Sequence, residues 1–115
     1  MKKCFLLASV AFSVLFLANC SSSKKVAEKP KLNFEANVQS ALTQYCAPCH
    51  IPAKGGNKRP YDNYANAKAD IDEIIRRISL KPGERGFMPM RSQTRLSDSV
   101  IAVFTQWKAD GLLEK

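Results

Sequence analysis

The chain has 115 residues, with 18 Lys and Arg against 10 Asp and Glu, four cysteines and one histidine. One small domain fits that length; a large two-domain enzyme, a solenoid or a polytopic membrane protein does not. Hydrophobic residues make up 45% of the chain, too many for wholesale disorder. The net charge of +8 is scattered, with no Lys/Arg block in the domain. That pattern fits a protein partner with an acidic docking surface better than nucleic acid.

Lys2 and Lys3 precede an apolar stretch from Cys4 to Ala18 that only Ser9 and Ser13 interrupt. It falls short of the about 20 residues of a membrane span and suits a secretory signal. The stretch ends in Leu17-Ala18-Asn19-Cys20, ahead of three serines. This resembles a bacterial lipoprotein signal, in which residues 1–19 are removed and Cys20 then carries a diacylglycerol. Asn19 departs from the Gly, Ala or Ser of the common pattern, so an uncleaved anchor or a plain signal peptide stays open. All three readings place the domain outside the cytoplasm. The lipoprotein reading ties it to a membrane of the periplasm or cell envelope through Cys20. Residues 20–32 then read as a lipidated cysteine and a flexible basic linker, with Lys24, Lys25, Lys29 and Lys31 and no apolar period.

Three helical patterns follow. Phe34, Val38, Leu42 and Tyr45 recur at helical spacing behind Asn33, a candidate N-cap. Ile71, Ile74, Ile75 and Ile78 form the clearest stripe. Asp70 with Glu73 resembles a capping box at its start, and Pro82-Gly83 ends it. The last pattern starts at Ser97-Asp98, runs through Val100, Val103, Phe104 and Trp107, and stops at Gly111. No segment alternates with period two for long enough to make a strand. The fold class is all-α, with a core thin enough to call for a cofactor, metal or disulfide.

The first helix runs into Cys46-Ala47-Pro48-Cys49-His50, a CxxCH sequence that reads as covalent haem c attachment. Two thiols three positions apart can reach two vinyl groups on one porphyrin edge, and the next residue offers its imidazole to the iron. Three rivals compete. A thiol-redox pair would follow a strand and open a helix, whereas this pair closes one. Zinc is one ligand short in the mature domain, and a disulfide needs no histidine.

From Phe34 to the C-terminus the chain resembles a small monohaem class I-type cytochrome c. The resemblance is carried by CxxCH after a helix, by Gly86-Phe87-Met88-Pro89-Met90, and by Leu96-Ser97-Asp98 and Trp107 in the closing helix. It implies about three main helices wrapped around one covalently bound haem in residues 33–115. Cys46 and Cys49 would be the thioether points, His50 the proximal ligand and Met88 the sixth ligand. Met90, two residues on, is the alternative sulfur. Core filler is the ordinary role of a methionine, but both sit in a loop with no helical period to place them in a core. Tyr61, Tyr64, Arg59 and Arg85 are candidate partners for haem propionates, and the Pro52 carbonyl is a candidate acceptor for the His50 ring N–H.

The expected function is electron transfer by a membrane-tethered extracytoplasmic carrier that cycles haem iron between ferric and ferrous states. Its partners would be redox proteins with acidic docking surfaces. The carrier is not expected to be an enzyme, though it could be a subunit of a larger redox complex. The alternatives are a haem c enzyme or sensor with an open sixth position, and a thiol–disulfide oxidoreductase. Nothing in the sequence separates inner from outer membrane or sets the direction of electron flow.

Overall fold

A computed structural model describes residues 27–115. The leader, Cys20 and most of the basic linker lie outside the described residues. Within them the chain is helical, with four α-helices and no strand. A short π-helical turn, Phe34–Val38, leads into α1, Gln39–Tyr45; α2 spans Tyr64–Ala69, α3 spans Ile71–Ser79 and α4 spans Asp98–Ala109. None of the described helices is long and apolar enough to cross a membrane.

The first turn is wide for a local reason. Asn33 accepts a bond from Ala36 N–H at 2.8 Å, and Asn37 reaches back to Asn33 N–H at 3.0 Å. This reciprocal capping satisfies donors that a helix start leaves without partners, and the Gln39 N–H closes onto the Phe34 carbonyl five residues back. The expected N-cap at Asn33 is therefore present, and Phe34, Val38 and Leu42 are buried. At α4, Ser97 caps through its side chain to Val100 N–H. The helix closes with a Schellman motif: Leu112 N–H bonds to the Trp107 carbonyl and Gly111 N–H to that of Lys108. Gly111 adopts φ 97° to make that turn.

Three expectations need correction. A fourth helix, α2, was not foreseen. It has only six residues and buries one, Ala67, so it carries no apolar period; Asn63 caps it by accepting from Asn66 N–H. The capping box at α3 does not form. Asp70 makes no capping bond, and Glu73 turns instead to Arg76 and Arg77 at 2.7 and 2.6 Å. In the last helix Ile101 is buried with Phe104 and Trp107, while Val100 and Val103 lie only partly buried at the core margin.

The core forms where α4 crosses the π-turn and packs on α3. Trp107 is fully buried, with Phe34 and Tyr64 rings about it at 6.0 and 6.3 Å. Its Nε1–H donates to the Leu113 carbonyl at 2.8 Å, so the indole's polar atom is satisfied. Residues 32–35 meet the C-terminal segment here. Phe34 N–H bonds to Leu113 O, Glu35 N–H to Glu114 O, and Leu32 N–H to the Asp110 carboxylate at 2.7 Å. Leu32, partly buried, packs on the core beside these bonds.

The paired arginines hold the Glu73 carboxyl down at about 2, chiefly through side-chain hydrogen bonds. The unfolded chain therefore binds this proton more readily than the folded one. The stabilisation is complete above about 4.5 and is lost as pH falls toward 2. Far-UV circular dichroism during acid titration should show α3 weakening across that window. Glu73→Gln should flatten that part of the titration, and added salt should reduce it.

Candidate functional site

The residues after α1 turn back under its end without regular structure, and backbone bonds hold them. Cys46 N–H bonds to Leu42 O at 2.8 Å, His50 N–H to Cys46 O at 3.0 Å, and Ile51 N–H to Pro48 O at 3.0 Å. Ile51, within this turn, is buried. The chain then doubles back, with Lys58 N–H on Cys49 O at 3.0 Å and Tyr61 N–H on His50 O at 2.9 Å. Gly56 permits this return. A Cβ there would collide with the Pro48 carbonyl oxygen and lie 2.6 Å from that of Cys49.

The single histidine is held on two sides. Its Nδ1 lies 2.7 Å from the Arg59 carbonyl oxygen. A carbonyl can only accept, so Nδ1 carries the proton and Nε2 keeps its lone pair for a metal. The acceptor is Arg59, not the expected Pro52, which instead opens a short 3-10 turn, Pro52–Lys54. The Tyr61 ring stacks on the imidazole with centroids 4.7 Å apart and planes 13° from parallel.

Opposite CAPCH, the second long loop is fastened to the end of α3. Phe87 is buried, and Met88 N–H bonds to the Arg77 carbonyl at 3.2 Å. Met88 is partly buried against the core, whereas Met90 is 72% exposed.

These pieces enclose a cleft of about 490 Å³. Cys46, Cys49, His50, Met88 and Met90 all line it, so the structure brings the four expected site residues of the domain together. Ile74 and Ile78 of α3, with Tyr45 and Leu96, supply an apolar wall. Lys58, Arg59, Arg77 and Arg91 bring positive charge to the lining.

The propionate candidates divide. Arg59 and Tyr61 line the cleft, but Asp70 engages both. Tyr64 belongs to the core, its hydroxyl on the Leu112 carbonyl at 2.8 Å, and Arg85 is not part of the lining. Lys58, Arg77 and Arg91 were missed. A signal existed for Arg77, which flanks the isoleucine stripe, and for Arg91, which follows the methionine pair.

Cys46 and Cys49 are both free thiols. Burial pushes the Cys46 thiol up to about 11, which withholds the thiolate that disulfide exchange needs. Among the described residues no three His, Cys, Asp or Glu side chains gather as a metal-ligand group. Cys46, Cys49 and His50 therefore do not converge as zinc ligands would.

A covalent porphyrin makes different demands: two thiols at one rim, an imidazole with Nε2 available, an apolar wall and a thioether on the far loop. The residues of the cleft fit those demands. Comparison with protein-family models, curated proteins and solved structures finds no match for this chain.

Two outcomes follow from this geometry. Gly56→Ala should cost about 1–3 kcal/mol by forcing the two strands of the CAPCH turn apart, read from urea unfolding. In protein made without haem, iodoacetamide at neutral pH should alkylate Cys46 roughly a hundredfold more slowly in the folded than in the unfolded chain, read by peptide mass spectrometry.

Proposed function

We propose that this chain is an extracytoplasmic electron carrier of the class I cytochrome c type, holding one covalent haem c and tethered to a membrane through Cys20. The observation that carries the reading is the cleft: the CAPCH turn and the Met88 loop, 38 residues apart in number, line one apolar space. When bound, the haem supplies one-electron ferric/ferrous chemistry.

The chain's own residues have separable tasks. Cys46 and Cys49 hold the group by thioether bonds, which fixes it at the end of α1. His50, with its proton committed at Nδ1, offers Nε2 to the iron. Met88 offers its sulfur from the opposite loop, and its partial burial and bond to Arg77 favour it over the exposed Met90. Ile74 and Ile78 give that space an apolar wall. Lys58 and Arg91 line the same cleft and would supply cationic partners for the haem carboxylates. The basic surface and the tether would both raise the encounter rate with an acidic redox partner at the same membrane.

A thiol–disulfide oxidoreductase is the weaker reading. The cysteine pair follows a helix and not a strand, and the Cys46 thiol is raised where exchange requires it lowered.

The test is an optical spectrum, oxidised and reduced, of protein exported in a host that matures c-type cytochromes. Sharp c-type bands on reduction and a far-red methionine-to-ferric band on oxidation are expected. Met88→Ala should abolish the far-red band, lower the potential and admit carbon monoxide to the reduced protein, while Met90→Ala leaves all three unchanged. Rapid carbon monoxide binding by the parent would instead favour an enzyme or sensor. Absence of haem would overturn the proposal.

A further inference from the structure

Asp70 stands at the start of α3 and does not cap it, although an aspartate cap is worth about 1 kcal/mol to a helix. Its carboxylate turns instead toward the loop that precedes α2. One oxygen, Oδ2, accepts the Tyr61 hydroxyl at 3.1 Å and pairs with the Arg59 guanidinium. Each of those residues leads to the imidazole by its own route. The Arg59 backbone carbonyl takes the His50 Nδ1–H, and the Tyr61 ring lies flat against the imidazole face. Tyr61 N–H on the His50 carbonyl closes the circuit.

We propose that Asp70 is a positioning residue for His50, fixing the plane and the tautomer of its imidazole through Arg59 and Tyr61 together. The two routes restrain different freedoms. The carbonyl bond selects the Nδ1–H tautomer, and the stacked phenol opposes rotation of the ring about its side-chain bonds. Both restraints depend on where residues 59–61 sit, and the bonds that hold those side chains to α3 end on one carboxylate oxygen. Charge-assisted bonds are stronger than neutral ones, so a carboxylate at this place outperforms an amide or a hydroxyl. The lost helix cap is the cost of this arrangement. The purpose assigned to the circuit, presenting Nε2 to iron, rests on the function proposed above.

The chain has one histidine, so its ring signals in nitrogen-edited NMR need no assignment. In the full chain produced without haem, the parent should show the Nδ1–H tautomer with a proton protected from exchange. Asp70→Asn should speed exchange of that proton about tenfold, the loosening of one neutral hydrogen bond, and bring in the Nε2–H tautomer. Tyr61→Phe, which removes only the hydroxyl, should act in the same direction. Asp72→Asn, an acid on the same helix that pairs with Lys108, should leave the ring as in the parent. Parental exchange and tautomer in folded Asp70→Asn would overturn the proposal. Should that variant fail to fold, a parental ring in Tyr61→Phe would overturn it equally. The readout needs no haem, so an exported protein lacking haem bands would sink the electron-carrier reading and leave this result standing.

Discussion

Trp107 joins the two ends of the domain, and the position of everything else follows from that join. Its indole fills the space between the π-turn and the body of the core, and its N–H holds the Leu113 carbonyl. With the start of the first helix pinned there, the direction and length of that helix decide where Cys46 emerges. Truncating so large a buried aromatic typically costs about 3–5 kcal/mol, a large share of the stability of a domain this small. The tryptophan is remote from the cleft lining, yet it sets the geometry of one wall.

The cleft itself is built from segments with little regular structure. Backbone hydrogen bonds stand in for helix ladders: Cys49 and His50 carbonyls accept from the returning segment, and the Met88 amide is held by the end of α3. No buried side-chain polar atom among the described residues lacks a partner. Irregular chain this close to the core is tolerable because its polar groups are paired in that way. The helical part of the wall is α3, whose Ile71, Ile74 and Ile78 are buried while Glu73 pairs with Arg76 and Arg77 along its length, Glu73 and Arg77 reaching the cleft.

Much of this was legible from residue type and spacing. The buried faces of the first helix and of α3 were visible because apolar residues recur at the helical period, and the ends of α4 were visible in Ser97 and Gly111. The cleft's principal residues were visible in CAPCH and in the methionine loop. Other features were not, for stated reasons. α2 is too short to show a period. Asp70 and Glu73 have the spacing of a capping box, but arginines three and four residues after Glu73 compete for its carboxylate, and Arg59 and Tyr61 compete for that of Asp70. The histidine's acceptor lies nine residues downstream of it, on a segment whose return depends on Gly56. Local pattern carries no information about such a doubling back. The spacing points to Val100 where the structure buries Ile101, because the register of a helical stripe is ambiguous by one residue at its flanks.

The fastening of Leu32, Phe34 and Glu35 to the C-terminal segment has a mechanical consequence. Several bonds there lie side by side, so tension drawn on the chain ahead of Leu32 is shared among them as shear instead of unzipping them singly. The first helix then places about 18 Å between that point of load and the CAPCH turn. That point of load and the cleft therefore stand at opposite ends of the first helix.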